Sequence, residues 1–306
     1  MPYRKILFYL MAALSFTPYI NSALALLFGI GMGYWFEGHY QQKDNDKYSK
    51  HLLRIAIIGL GFTLTLTDVI RVSGQSFGIT LASILAIFLL GYWISKKIKL
   101  SPKMCFLIAG GTAICGGSAI AAISPVIRAK NKDISMALIS IFLLNAVALF
   151  VFPFIGKLLN LNDFQFGLWS AIAIHDTSSV AGASSAYSDT SFQVATITKL
   201  ARTLWIIPLV LAASYFFKSK GQKINIPSFI ILFIAASIFS TYFLESNIKQ
   251  YFKIVSKEIL DAALFFIGTS LKLNNLKHFL SKAFLFALFL WIFVSVFSLL
   301  MILYLY

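Results

Sequence analysis

His175 and Asp176 stand side by side in an otherwise apolar stretch, followed at once by Thr177, Ser178 and Ser179. An ionisable residue at membrane depth costs at least about 2.5–3.5 kcal/mol on insertion scales, so a pair flanked by hydroxyls points to a polar cavity. His175 could carry a proton near neutral pH, and Asp176 could accept a proton or pair with a cation. The structural alternative is an interfacial loop, against which the apolar run Phe166–Ile174 argues. Lys199 and Arg202 come next and are three apart, so they share a helix face. Snorkelling to the interface would need both near a helix end, and Lys199 lies too far inside its apolar segment. Two cations on one face suit an anionic substrate, and Arg202 offers a fork for a carboxylate, sulfate or phosphate. Asp176 or Asp261 could instead neutralise the pair structurally. Asn145 holds a comparable place in its own helix and is a candidate for the same cavity.

A second constellation is Gly110-Gly111-Thr112-Ala113-Ile114-Cys115-Gly116-Gly117-Ser118. Four glycines with small hydroxyl residues make a poor continuous helix. The bland reading is a surface for close helix packing. The functional one is an unwound segment whose half-helix N-termini aim N–H groups at an anion. Gly111, Thr112, Cys115, Gly116, Gly117 and Ser118 are the candidates there. Cys115 serves as a small residue, with little to suggest redox chemistry.

The elements that must position these residues are membrane helices. Hydrophobic residues make up 59% of the 306, charged residues 12%, and mean hydropathy is +0.83. A soluble domain carries about 25% charged residues, so a soluble enzyme, a disordered chain and a secreted disulfide scaffold are excluded. Two cysteines are too few for a disulfide framework, and the four histidines show no metal-ligand spacing. Since a spanning helix needs about 20 apolar residues, the expected segments are 6–15 (short), 19–36, 52–70, 76–95, 104–127, 134–156, 164–185, 191–217, 226–244, 255–273 and 283–305. The stretch 37–50 is expected to be a polar cytoplasmic loop, and the rest a single transmembrane transporter domain over 1–306.

The net charge of +15 does not mark a nucleic-acid binder, because the basic residues sit in short loops between apolar stretches. Let Arg4 and Lys5 lie inside, and let both unusual stretches be re-entrant hairpins. The basic residues around 43–54, 96–103, 128–132, 218–223 and 272–282 then also fall inside. Only Arg71, Lys157, Lys249, Lys253 and Lys257 fall outside, as the positive-inside rule prefers. A full crossing of 104–127 would put Arg128, Lys130 and Lys132 outside. The hairpins would enter from opposite faces, each followed by a long helix with a late proline, Pro153 or Pro208. That is an inverted-repeat pattern. The ends Gly61–Asp68 and Gly268–Asn275 add a weak similarity.

The stretches Leu60-Gly61-Phe62, Leu64-Thr65-Leu66, Gly111 to Ala122, Ile174-His175-Asp176, and Lys199 with Arg202 and Pro208 resemble the YeiH-type bacterial membrane proteins, a sulfate-exporter family. The resemblance covers roughly residues 20–305. It implies a relation to cation/proton antiporters and bile-acid transporters, inverted repeats and two interrupted helices. The family usually has Glu where Asp176 stands and Gln at or beside Ser179, so a shorter carboxylate and a lost amide reshape the cavity here.

The fold expected is therefore an all-α polytopic membrane protein with about 10–11 membrane segments and inverted repeats carrying two interrupted or re-entrant helices. The function expected is secondary transport of a small anion, sulfate or organic, coupled to protons or sodium. The alternative is a monovalent cation/proton antiporter using Asp176. No His-Glu-x-x-His and no paired catalytic aspartates appear, so an enzyme is not expected, and neither is a cofactor. The expected partners are a small anionic substrate, a coupling proton or Na⁺, and the lipid bilayer. Nucleic acid is not among them, and a homodimer is left open. The expected location is the bacterial inner or plasma membrane, with the N-terminus cytoplasmic.

Overall fold

The computed structural model describes residues 2–17, 20, 22–35, 42–98, 100–217, 228–270 and 281–306. Among these, every regular element is an α-helix. In chain order they are α1 (Pro2–Leu14), α2 (Ser22–Trp35), α3 (Gln42–Gly61), α4 (Leu66–Ser95), α5 (Pro102–Ala113), α6 (Gly117–Val126), α7 (Asn131–Leu158), α8 (Asp163–Ala173), α9 (Thr177–Tyr187), α10 (Asp189–Thr203), α11 (Ile206–Phe216), α12 (Ser228–Phe243), α13 (Ser246–Ser270) and α14 (Lys282–Leu305). Among the described residues, four stretches are long and apolar enough to cross a membrane: Leu66–Ser95, Lys132–Leu158, Asp189–Phe216 and Lys282–Leu305.

The chain forms two compact units, Met1–Arg71 with Pro227–Lys272, and Val72–Ile226 with Leu273–Tyr306. In the first, α13 packs along α2 and α3 around a core of Phe8, Ala12, Ala25, Met32 and Phe265. Gly29 lets α2 and α13 touch backbone to backbone, since a Cβ there would collide with the Phe265 carbonyl.

Two expected boundaries move in this unit. The expected span 52–70 stops at Gly61, and a new helix starts at Leu66. The cause is local capping. Thr65 and Asp68 bond reciprocally, with Thr65 N to Asp68 Oδ2 at 3.1 Å and Asp68 N to Thr65 Oγ1 at 3.2 Å, an arrangement that starts a helix. The polar stretch expected as a loop is helical from Gln42 onward, because residues 42–50 contain no glycine or proline to stop a helix. Residues 36–41 lie outside the described ones, as do 218–227 and 271–280, which hold Lys218, Lys220, Lys223, Lys272 and Lys277 and part of the stretch compared with Gly61–Asp68.

The second unit holds the unusual stretches, and both are hairpins. Helices α5 and α6 have 12 and 10 residues, about 15–18 Å each, or half a hydrocarbon core. They fold back on each other. A Cβ on Gly110 would stand 2.6 Å from Ile123 Cδ1, and one on Gly111 would stand 3.1 Å from Ile120 Cγ1. At the open end, Lys103 Nζ donates to the Arg128 carbonyl at 2.9 Å. Helices α8 and α9, 11 residues each, do the same. The Phe166 and Tyr187 rings stack at 3.9 Å, and Ser191 Oγ donates to the Asp163 carbonyl at 2.8 Å.

The 28-residue α7 links the open end of the first hairpin to that of the second, so the two enter from opposite ends and their tips meet. Helices α10 and α11 then run back, bringing Phe217 against Phe106 at 5.3 Å. Hairpin plus long helix thus occurs twice in opposite directions, with Pro153 in α7 and Pro208 in α11.

Candidate functional site

Each hairpin tip breaks its helix and leaves backbone groups without helical partners. In the first, the break runs from Ile114 to Gly116. Gly116 has φ +63° and ψ −121°, a region essentially reserved for glycine. In the second, the break lies at Ile174–Asp176. Gly116 sits on the second tip, because a Cβ there would be 3.3 Å from the His175 Cβ.

Lys199 of α10 joins the two tips. Its ammonium donates to Ile114 O at 3.1 Å on the first hairpin, and to Ala171 O at 3.2 Å and Ile174 O at 2.7 Å on the second. Three donors meet three carbonyls, which saturates an ammonium group. These carbonyls are the negative ends of α5 and α8, where a cation is favoured. The wholly buried charge is therefore held by backbone.

Asn145 of α7 braces the second tip. Its Oδ1 accepts from His175 N at 3.2 Å and Asp176 N at 3.3 Å. Asp176 caps α9, with Oδ2 accepting from Ser178 N at 2.9 Å and Ser179 N at 3.4 Å. The start of α6 has no such side-chain cap.

Arg202 sits one turn beyond Lys199 and is also wholly buried. One guanidinium nitrogen, Nη1, donates to Ser83 Oγ of α4 at 2.9 Å. Nε and Nη2 have no hydrogen-bond partner among the described residues. Both imidazole nitrogens of His175, the Thr112 and Thr198 hydroxyls and the Asn145 amide nitrogen are buried in the same state. His175 lies within electrostatic reach of Lys199 and Arg202, and Lys199 within reach of Asp176 and Cys115. The centre thus holds two cations, one carboxylate already engaged in capping, and a surplus of donors. Such a set attracts an anion and repels a cation.

The structure gathers Cys115, Gly116, Asn145, His175, Asp176, Lys199 and Arg202 at one crossing, with Ser178 and Ser179 bonded to Asp176. Thr177 opens α9 beside them. Others stand apart in role. Gly111 packs against Ile120 and Ile141, Gly117 faces Leu138 and Phe142, and Ser118 is exposed. Asp261 belongs to the first unit. Ser83 and Thr198 were missed by sequence reasoning. Thr198 carried a usable signal, being four residues before Arg202 on the same face, whereas Ser83 is one serine among many in an apolar helix. Among the described residues, no three His, Cys, Asp or Glu side chains are grouped to hold a metal ion.

Residues 5–298 match the family model described as conserved hypothetical protein 698. The chain is 45% identical to a UPF0324 membrane protein of Bacteroides thetaiotaomicron, covering 91% of this chain and 84% of that one. It is 44% identical to one of Porphyromonas gingivalis (94% and 88% covered) and 40% identical to one of Shewanella oneidensis (98% and 95% covered). No solved structure matches.

Proposed function

The chain belongs to the conserved hypothetical protein 698 family of UPF0324 membrane proteins, in line with the YeiH-type resemblance, and from that premise we propose that it is a secondary transporter of a small anion. The observation that carries this reading is Arg202, buried with Nε and Nη2 unpartnered one turn from the point where two half-membrane hairpins cross. A buried guanidinium with open donors is costly unless a ligand completes it. A planar or tetrahedral oxyanion fits its fork. Broken helices meeting between inverted halves are the architecture of secondary transporters.

Lys199 acts as the brace of the crossing, while Arg202, with the Thr198 and Thr112 hydroxyls, receives the anion. His175 and Asp176 are the groups available for coupling to protons. The basic ends Lys96, Lys97, Lys103, Arg128, Lys130 and Lys132, all on the side of the first hairpin's open end, support the reading that this side faces the cytoplasm, in line with the positive-inside preference. A cation/proton antiporter is supported less, because two cations stand near the Asp176 carboxylate, which also caps the α9 N-terminus, and would repel a metal cation from it. The test is flux in proteoliposomes for sulfate, small carboxylates, Na⁺ and K⁺ under a pH gradient. Anion flux that Arg202→Ala abolishes supports the reading. Cation-driven proton movement without anion flux overturns it.

A further inference from the structure

A separate cleft of about 810 Å³ lies at the open end of the first hairpin, away from the crossing. Its walls are apolar, with Met104, Met136 and Phe217 among them, and four lysines stand around it: Lys103, Lys130, Lys132 and Lys282. Among the described residues of the lining the one carboxylate, Asp133, is buried and accepts from Ser101 Oγ at 2.8 Å. Three helices begin here, α5 at Pro102, α7 at Asn131 and α14 at Lys282. Serines cap two of them, Ser101 and Ser281, while α7 has no side-chain cap. Helix starts carry partial positive charge, which adds to the lysines. Lys132 and Lys282 also mark the ends of two spans, the depth at which lipid headgroups lie.

We propose that this cleft binds one anionic phospholipid, its phosphate diester between Lys130, Lys132 and Lys282 and the upper part of its acyl chains against Met136 and Phe217. Charge complementarity selects the headgroup, since four cations face a single engaged carboxylate. The apolar wall selects a lipid over a free anion, because inorganic phosphate has nothing to place against two methionines and a phenylalanine. Basic pockets between helices on the cytoplasmic side bind anionic headgroups on this principle.

The test is thermal unfolding of the full chain in non-ionic detergent with added phosphatidylglycerol, phosphatidylcholine or inorganic phosphate. Phosphatidylglycerol raises the midpoint, and the other two leave it in place. Replacing two lysines, Lys130→Gln with Lys132→Gln, weakens the apparent affinity for phosphatidylglycerol roughly thirtyfold. Met136→Trp, which puts a bulky indole where the acyl chains would lie and keeps every charge, also abolishes the shift and decides the matter if the double variant does not fold. An equal response to phosphatidylcholine, a shift saturated by phosphate alone, or a wild-type response in Met136→Trp overturns the proposal. None of these readouts depends on anion flux.

Discussion

Gly116 lies directly against His175, the two hairpin tips touching at a distance that leaves a Cβ on the glycine 3.3 Å from that of the histidine. The contact needs both the missing side chain and the backbone, whose φ of +63° falls where L-residues are strained. Gly116→Ala is therefore expected to destabilise the protein by about 1–3 kcal/mol and to lower flux. The check is the unfolding midpoint in detergent beside flux in proteoliposomes. An alanine variant with an unchanged midpoint would show that the tips do not meet as described.

Lys199 carries a different burden. Replacing it by Met leaves the carbonyls of Ile114, Ala171 and Ile174 without that donor in a buried site. Each orphaned buried acceptor costs about 1–3 kcal/mol, so Lys199→Met is expected to yield little folded protein. Lys199→Arg should not restore it fully, because a planar fork cannot reach three carbonyls that an ammonium meets from three directions. Yield and monodispersity on size exclusion are the measurements. A well-folded Met variant with normal midpoint would remove the bracing role.

The two broken stretches were legible because each violates a rule that membrane helices obey. Gly110–Ser118 is too rich in glycine, and His175–Ser179 too polar. The charges of Arg128, Lys130 and Lys132, which a full crossing of 104–127 would misplace, favour a turn back in the first stretch, but they say nothing of the second and leave hairpin against crossing helix open. The partners of Lys199 could not be read, because they are main-chain carbonyls and no side-chain type announces them. Asp176 was read as a cation or proton group from its charge, and its capping of α9 became visible only once Thr177 was known to start a helix. The start of α4 was missed because Thr65 and Asp68 look like the polar edge of one longer span until their reciprocal bonds are seen.

Asp176 combines a structural and a chemical task, and two substitutions separate them. Asn is as good an N-cap as Asp, so Asp176→Asn should keep stability within about 0.5 kcal/mol of the natural protein. Asp176→Ala, losing the bonds to Ser178 N and Ser179 N, should cost about 1 kcal/mol. If Asp176 couples transport to protons, the Asn variant folds normally yet its anion flux no longer responds to an imposed pH gradient. A gradient response identical to that of the natural protein would assign coupling elsewhere, with His175 the next group to replace.

Arg202 offers the sharpest separation between holding the fold and serving it. Its single bond, to Ser83 Oγ, does little to offset burial of a charge with two unpartnered nitrogens. Replacing a whole buried ion pair by apolar side chains of similar volume is often neutral or stabilising by about 1–4 kcal/mol, and a buried guanidinium with no counter-ion carries the same desolvation cost with less to offset it. Arg202→Met is accordingly expected to raise the unfolding midpoint by several degrees while abolishing anion flux, the trade-off of a site kept unsatisfied for a ligand. Arg202→Lys keeps the charge but loses the fork, so flux should fall at least about tenfold with the midpoint little changed. Sulfate or a small carboxylate should raise the midpoint of the natural protein and leave that of Arg202→Met where it is. A Met variant that is less stable and still transports would mean that the guanidinium belongs to the scaffold, and the anion site would have to be sought elsewhere around the crossing.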